Sequence, residues 1–325
     1  MVQSPIEALI RRHRLRLIEL LPWVLAVLAY FVFDDYLSLG SQILIMILFA
    51  LSLDLVLGYA GIITLGHSAF FGVGAYTAGI YAAHVTGEPL SGLVVAAIAA
   101  ALVGFASGLV ILRTQGLTLL MLTLAITALL AEAANKASFI TGGADGLQGV
   151  SMNAILGVFQ FDLYGRTAYL YCLIILFLTW LFARRLVHSS FGRTLVGIRE
   201  NTARMHAIGS PVRLRLITIY TISAALAGVA GALLAQTTQF VGLTVLGFQR
   251  SGEIVIMLVF CGIGRLYGAF VGASLYMIVQ DQLAKLDPAF WYFWIGLLLV
   301  LLVMFARGGI LGLIDQTVRT LRRQR

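Results

Sequence analysis

The chain has 325 residues, of which 60% are hydrophobic and only 11% are charged. Soluble domains carry about 45–50% apolar and about 25% charged residues, so this composition excludes a water-soluble globular protein. The net charge of +8 comes mainly from arginines that flank apolar stretches, a pattern typical of membrane orientation and not of nucleic-acid binding. Neither Lys136 nor Lys285 ends a glycine-rich phosphate-binding loop, so the chain has no P-loop for ATP.

Ten apolar stretches follow one another along the chain, and most approach the roughly 20 residues that a membrane-spanning helix needs. The first follows a basic segment, continues to Phe33 and lacks a small-residue cleavage site, so we expect a retained helix. The others lie at about 39–57, 66–84, 89–112, 117–135, 167–187, 216–237, 251–264, 266–286 and 289–306. We predict an all-α integral membrane protein, a polytopic helix bundle with about ten transmembrane segments in one domain over 1–325. Eight are full spans, and short or broken segments lie near 58–66 and 251–264.

The basic residues predict how this bundle is oriented. With ten crossings and a cytoplasmic N-terminus, 18 Lys and Arg residues fall on the cytoplasmic side and four on the other. This bias predicts that both termini are cytoplasmic. The cytoplasmic segments are then the basic ends 1–16 and 307–325 and the loop 184–215, and the long loop 135–166 is extracytoplasmic.

The cytoplasmic loop contains an amphipathic pattern over residues 193–208. Apolar or small residues share one helical face and charged residues the opposite one, which predicts a short amphipathic helix. One interpretation is a helix on the membrane surface with its arginines at anionic lipid headgroups. The other is a docking helix for a cytoplasmic partner. The inner face contains Leu195, Ile198, Thr202 and Met205, and the outer face Arg193, Glu200 and Arg204.

Glycines are concentrated in two apolar regions. In the first, Gly58, Gly61 and Gly66 predict a helix break near 58–66, which would expose backbone groups to a polar cavity. In the second, the spacing by four of Gly264, Gly268 and Gly272 predicts a close helix contact.

Ionisable residues within the apolar segments are few, and such residues are costly in a bilayer. Asp54 and Glu253 lie near the glycine-interrupted segments and are candidates for a translocation pathway, whereas Glu132 and Asp281 are expected at solvated helix ends. His67 is either a hydrogen-bonded core histidine or a substrate contact. Residues 70–76 and 270–276 also resemble each other weakly, as expected if the two regions are related halves of a transporter.

Four segments together resemble the permease subunits of branched-chain amino acid ABC transporters, the Liv-type family, over about residues 40–305. The extended N-terminus and long outer loop are more similar to the M-type than to the H-type subunit. After Asn201 the chain departs from the acidic, alanine-rich pattern of that family, which bears on which ATPase it pairs with. The matching segments are Leu57-Gly58-Tyr59-Ala60-Gly61 to Ala78, Thr141 to Leu147, Gly192-Arg193 to Asn201 with Gly209, and Ser223 to Ala232.

The resemblance implies one of two membrane subunits of an ATP-driven amino acid importer in the bacterial inner membrane. Its partners would be a second, H-type permease subunit, two cytoplasmic ATP-binding cassette ATPases and an extracytoplasmic solute-binding protein, with membrane lipid around it. On this view the chain itself is no enzyme and binds no cofactor or metal, and the partner ATPases use ATP and Mg²⁺. The residues that would couple to the ATPases are Arg193, Arg199, Glu200, Asn201, Arg204 and Gly209.

Two other functions compete with this one. A self-contained, ion-coupled secondary transporter would use Asp54, His67 or Glu253 as a proton or sodium site. An intramembrane enzyme would need converging catalytic groups, and the sequence contains neither HExxH nor Gly-x-Ser-x-Gly.

Overall fold

The computed structural model describes residues 21–305 except 156, 158, 161, 163 and 164, so the predicted basic ends 1–16 and 307–325 lie outside the described residues. Within the described part the chain forms helices, connecting segments and two isolated bridge pairs but no strand, which confirms the all-α prediction. The helices are α1 Leu21–Val32, α2 Leu37–Asp54, α3 Ser68–His84, α4 Pro89–Ile111, α5 Leu117–Lys136, α6 Ser138–Thr141, α7 Arg166–His188, α8 Ser190–Glu200, α9 Thr202–Ala207, α10 Val212–Thr238, α11 Phe248–Cys261, α12 Leu266–Leu286 and α13 Trp291–Phe305.

Five helical segments of the described chain are long and apolar enough to cross a membrane: α2 with the turn that follows it, α4, α5, α7 and α10. The apolar stretch predicted at 66–84 forms the 17-residue α3, and the one at 251–264 forms the 14-residue α11. At 1.5 Å per residue, α11 extends only about 21 Å, less than the roughly 30 Å hydrocarbon core. The number of ten crossings therefore stays a prediction.

Helix α2 is the central helix of the bundle. Every residue from 44 to 56 is buried, and α2 contacts α7, α10, α11 and α12. Its sequence is apolar on all sides, as expected for a helix enclosed by other helices and not by lipid. Amphipathic periodicity is correspondingly absent from it.

Helices α3, α4 and α10 pack closely through small residues. A Cβ atom added at Gly74 or Gly231 would overlap backbone of the facing helix, and one at Gly104 would overlap the Cβ of Ala224. Small residues of this kind let helix backbones approach each other in membranes, where van der Waals packing drives association. Gly74, Gly104 and Gly231 thus form the close contacts among α3, α4 and α10. The glycine run near 264–272, for which the sequence spacing predicted a close helix contact, lies outside these three helices.

Contacts between connecting segments separate the bundle into two ends. At one end, loops that the ten-crossing prediction places outside meet one another, and at the other end predicted inner segments meet. The outer contacts are Asp34 with Arg166, Asn153 with Gly87, and Leu147 with Val241; the inner ones are Arg213 with Leu109, and Arg199 with Gly58. Each of these pairs joins segments that the prediction assigns to the same side.

Candidate functional site

The predicted helix break near 58–66 is present. Helix α2 ends at Asp54, a π-helical turn follows at Leu55–Tyr59, and residues 60–67 are not helical. Gly61 has a φ of +74°, a conformation that glycine adopts without steric cost. Backbone groups in this part of the bundle therefore lack their regular helical hydrogen bonds. One of them is satisfied by another contact, since Ile62 donates its N–H to Val56 O at 3.0 Å.

A second break separates α11 from α12. Residues 262–265 are not helical, and Gly264 has a φ of +80°. The predicted glycine run is therefore interrupted, because Gly264 precedes α12 whereas Gly268 and Gly272 are buried on it. The interruption has a local cause: at Gly264 the backbone adopts a left-handed conformation that cannot continue a right-handed helix.

The two breaks meet at the inner end of the bundle, although 210 residues separate Asp54 from Gly264. Asp54 Oδ1 accepts a hydrogen bond from Gly264 N at 2.7 Å, and a Cβ at Gly58 would lie 2.6 Å from the same nitrogen. Arg199 of α8 donates a hydrogen bond from Nη1 to Gly58 O, and its Cγ would lie 2.6 Å from a Cβ at Gly61. We call Asp54, Gly58, Gly61, Gly264 and Arg199 the inner junction.

His67 lies in the protein interior, with 1% of its surface exposed. Its Nε2 is 2.9 Å from Ser52 Oγ and 3.5 Å from Ser223 Oγ, and its ring stacks on Phe49 at 5.6 Å between centroids. Among the described residues no group hydrogen-bonds its Nδ1. The histidine is thus held by hydrogen bonds and ring packing, as the core interpretation of the sequence expected.

Further hydroxyl groups surround the start of α3. Ser251 of α11 accepts from Ser68 N at 3.0 Å and donates from its Oγ to Ser68 Oγ at 2.7 Å. We call Ser52, His67, Ser68, Ser223 and Ser251 the polar cluster; all five are buried. Sequence analysis missed its serines, because a serine in an apolar segment gives no local sign of which helix it faces.

Glu253 takes no part in this cluster. Its Oε2 lies 3.0 Å from Arg250 Nη1, and its Oε1 accepts from Gln249 Nε2 at 3.3 Å. Asp54 and Glu253, which occupy comparable positions before the similar segments 70–76 and 270–276, therefore have different partners. Both breaks contain a glycine with positive φ, but the acids near them are not equivalent.

The remaining predicted site residues lie near the breaks or at helix ends. Gly66 packs so closely against α5 that a Cβ would overlap the carbonyl of Thr123. Glu132 is exposed and forms an ion pair of 3.6 Å with Lys136, as expected for a solvated helix end. Asp281 similarly pairs with Lys285.

The amphipathic segment at 193–208 differs from the prediction of one helix, since α8 ends at Glu200 and α9 begins at Thr202. Asn201 lies between them in an extended conformation, and its Oδ1 accepts a hydrogen bond from Arg204 N at 2.9 Å. Asparagine is a favoured N-cap residue, so it ends the first helix and begins the second. The prediction of a single helix was wrong because periodicity alone does not reveal this cap.

The predicted faces hold in α8 and fail in α9. Leu195 and Ile198 are buried, at 1% and 2% exposure, whereas Arg193, Glu200 and Arg204 are exposed. Thr202, expected on the inner face, is exposed, because the bend at Asn201 rotates α9. Met205 still contacts the first helix, since its sulfur would lie 2.9 Å from a Cβ at Gly197.

The segment after α9 turns at Gly209, whose φ is +77°. A Cβ atom added at Gly209 would have no neighbouring atom within 4 Å. The turn leads into α10, which returns to the bundle at Val212. We call the exposed residues Arg193, Glu200, Asn201, Arg204 and Gly209 the α8–α9 surface. It presents mixed charge beside the inner junction.

The sequence of this chain is similar to those of several known proteins. Residues 36–305 match the family model described as the permease component of the branched-chain amino acid transport system. The chain is 28% identical over 301 residues to the high-affinity branched-chain amino acid transport system permease protein LivM of Salmonella typhimurium, which covers 84% of this chain and 69% of that protein. It is 27% identical over 296 residues to LivM of Escherichia coli, with the same coverage.

A more distant organism has a similar protein. The probable branched-chain amino acid transport permease protein LivM of Methanocaldococcus jannaschii is 27% identical over 271 residues, which cover 71% of this chain and 76% of that protein. No solved structure matches the chain significantly. Because the family model covers most of the chain, from before α2 to the end of α13, this protein belongs to the branched-chain amino acid transport permease family and is of the LivM type.

Proposed function

We propose that this chain is one of two membrane subunits of an ATP-driven importer for branched-chain or related amino acids in the bacterial inner membrane. It forms the translocation pathway together with a second, H-type permease subunit. An extracytoplasmic solute-binding protein delivers the substrate, and two cytoplasmic ATPases supply the energy. Membership of the permease family supports this role, and the absence of a P-loop in the sequence is consistent with ATP hydrolysis by separate subunits.

The α8–α9 surface is the observation that carries the proposal. It is an exposed, polar pair of short helices attached to an otherwise apolar bundle, and it lies at the end that the charge bias assigns to the cytoplasm. The buried Leu195 and Ile198 fix α8 to the bundle, so a push on this surface is transmitted to the transmembrane helices. Such a rigid attachment suits ATPase docking better than a helix resting loosely on lipid.

The outer loop suits docking of the solute-binding protein. Two of its described residues contact the ends of the bundle: Leu147 N donates to Val241 O, and Asn153 N donates to Gly87 O, both at 2.8 Å. A Cβ at Gly142 would overlap the carbonyl of Gly146, so the turn between them is tight. A surface fixed to the helix ends in this way is what a soluble partner needs.

The alternative of an ion-coupled secondary transporter has weaker support. It needs a carboxylate or histidine that binds an ion, but Glu253 is paired with Arg250, and Asp54 accepts a hydrogen bond from Gly264 N. His67 Nε2 is already engaged with Ser52, so the ring could take up an additional proton only at Nδ1, the nitrogen without a described partner. Substitution of His67, described in the Discussion, separates this alternative from a packing role.

The test of the proposed function is Glu200→Arg in the native host. Glu200 is exposed on the α8–α9 surface, so charge reversal leaves folding intact while opposing a partner that recognises the carboxylate. We expect recovery of the ATPases with the tagged chain, and leucine uptake, each to fall at least about tenfold, which corresponds to about 1.4 kcal/mol of binding. The matched control is Arg113→Glu, a charge reversal at an exposed residue of the connector between α4 and α5.

Each outcome decides between the hypotheses. Wild-type chain that co-purifies with a second permease subunit and ATPases, and loses them in Glu200→Arg but not in Arg113→Glu, supports the importer. Wild-type chain that is recovered alone and drives uptake from an ion gradient would establish the secondary transporter instead. Normal uptake by Glu200→Arg at normal expression would remove the assignment of the α8–α9 surface.

A further inference from the structure

Arg199 is exposed like the charged residues of the α8–α9 surface, but unlike them it hydrogen-bonds to the backbone of the bundle. Its backbone lies on α8, next to the exposed Glu200, but its guanidinium donates to Gly58 O in the turn after α2. The same Nη1 would lie 3.2 Å from a Cβ at Gly264, at the second break. One side chain therefore connects the docking helix with both broken segments.

The backbone at the first break needs this contact. Gly58 lies in the π-helical turn, just before the chain leaves helical geometry, so its carbonyl lacks a regular helical continuation. An unsatisfied carbonyl within a membrane protein costs several kcal/mol, and a charged donor satisfies it strongly. Arg199 thus holds the end of α2 in place by a bond that moves with α8.

Asp54 extends the connection to the second break. It is fully buried, and its Oδ1 accepts from Gly264 N at 2.7 Å, whereas its Oδ2 has no hydrogen-bond partner among the described residues. A buried polar group is costly unless it is hydrogen-bonded, so the amide of Gly264 fixes the Asp54 side chain at the second break. The second break is therefore tied to the first through Asp54 and to α8 through Arg199.

Glycine at three positions makes room for this arrangement. A Cβ at Gly61 would lie 2.6 Å from Arg199 Cγ, one at Gly58 would meet the backbone of Gly264, and one at Gly264 would approach the guanidinium. The space that these glycines leave is filled by the arginine stem and by the facing backbone. The breaks and Arg199 therefore fit each other as one packed unit.

We propose that Arg199 is the positioning residue through which movement of the docking helix α8 displaces both helix breaks, and with them the translocation pathway. The inference deepens the proposed function and rests on it. In this role Arg199 is not needed for the ATPases to bind, because the exposed Arg193, Glu200 and Arg204 supply that surface. It is needed for ATP hydrolysis to be converted into movement of the permease.

The test uses the complete transporter, reconstituted in proteoliposomes with its solute-binding protein. Arg199→Gln keeps a donor for Gly58 O but removes the charge near Asp54, and Arg199→Lys keeps the charge but offers a single ammonium in place of the guanidinium fork. We expect both variants to retain the ATPases in the purified complex and to hydrolyse ATP at the basal rate. Leucine uptake and the stimulation of hydrolysis by the binding protein should both fall at least tenfold in Arg199→Gln and less in Arg199→Lys.

Arg113→Ala, which removes an exposed arginine from the same end of the bundle, is the control and should leave uptake and stimulation unchanged. Uptake and stimulation that stay normal in Arg199→Gln would overturn the inference while leaving the importer intact. Loss of the ATPases from the Arg199→Gln complex would also overturn it, since Arg199 would then be a docking residue. A wild-type complex without ATPases would instead refute the proposed function itself.

If Arg199→Gln is not recovered from the membrane, Arg199→Lys decides the question alone. It keeps the aliphatic stem that packs against Gly61 and the charge beside Asp54, so its fold is preserved better. A loss of stimulation by the binding protein with unchanged basal hydrolysis supports the inference, because a merely structural defect would lower both. Unchanged stimulation would overturn it.

Discussion

Substitution of His67 separates a packing role from a role in proton transport. Ser52 Oγ donates to Phe49 O at 2.6 Å, and Ser223 Oγ donates to Ser52 O. Because both hydroxyl protons are engaged, the hydrogen bond of 2.9 Å between Ser52 Oγ and His67 Nε2 places the imidazole proton on Nε2. Nδ1 is then a bare acceptor, and the ring serves as a neutral, packed side chain.

The structure gives different magnitudes for two substitutions of this histidine. His67→Phe keeps a ring between Phe49 and Phe70 and loses one hydrogen bond, worth about 1 kcal/mol, with at most about 1 kcal/mol of overpacking in addition. His67→Ala removes the whole buried ring and leaves a cavity, which for aromatic side chains costs about 3–5 kcal/mol. We therefore expect the alanine variant to be clearly the less stable one.

The assay is unfolding of the purified chain in mixed detergent and SDS micelles, together with uptake in proteoliposomes. His84 provides the matched control: it is exposed near the end of α3, and its replacement by Phe or Ala should change the free energy of unfolding by less than about 0.5 kcal/mol. Equal destabilisation by His67→Phe and His67→Ala would refute the packing argument. A His67→Phe variant of nearly normal stability that cannot transport at all would favour the proton-coupled alternative.

Two further predictions concern the first break and the docking surface. Gly61→Leu should abolish leucine uptake while the ATPases still co-purify. The new side chain would collide with Arg199 Cγ, and the backbone φ of +74° at this position is unfavourable for leucine. Uptake at the wild-type rate would show that the break is not in the pathway. Asn201→Ala should remove the N-cap of α9, cost about 1 kcal/mol and lower recovery of the ATPases, whereas Asn201→Ser should retain both. Equal recovery with Asn201→Ala and the wild-type chain would mean that the order of α9 does not matter for docking.

Charged side chains satisfy backbone groups at both breaks. A chain that leaves helical geometry inside a membrane protein exposes backbone groups that neighbouring side chains must satisfy. At the first break the guanidinium of Arg199 does this, and at the second the carboxylate of Asp54 does. Transporters place their sites at such discontinuous helices.

Several features followed from the sequence alone because their causes are local. The excess of apolar residues determined the membrane class, and the glycines at 58, 61 and 66 indicated the first break, where Gly61 adopts the positive φ that glycine permits. The periodicity around Leu195 and Ile198 correctly gave the buried face of α8. The end of that helix also has a local cause, the N-cap residue Asn201, but helical periodicity alone did not reveal it.

Other features depended on which helices face each other, and only the tertiary structure determined those. No property of the sequence near Asp54 indicates that Gly264 is its hydrogen-bond partner, and nothing near Arg199 shows that its side chain turns inward to Gly58 and not outward with Glu200. Apolar segments that are buried on all sides carry no amphipathic signal, so their neighbours cannot be deduced from their pattern. The sequence by itself thus determined the class, the family and the position of the first break, whereas close packing of helices determined that both breaks and α8 meet at one point.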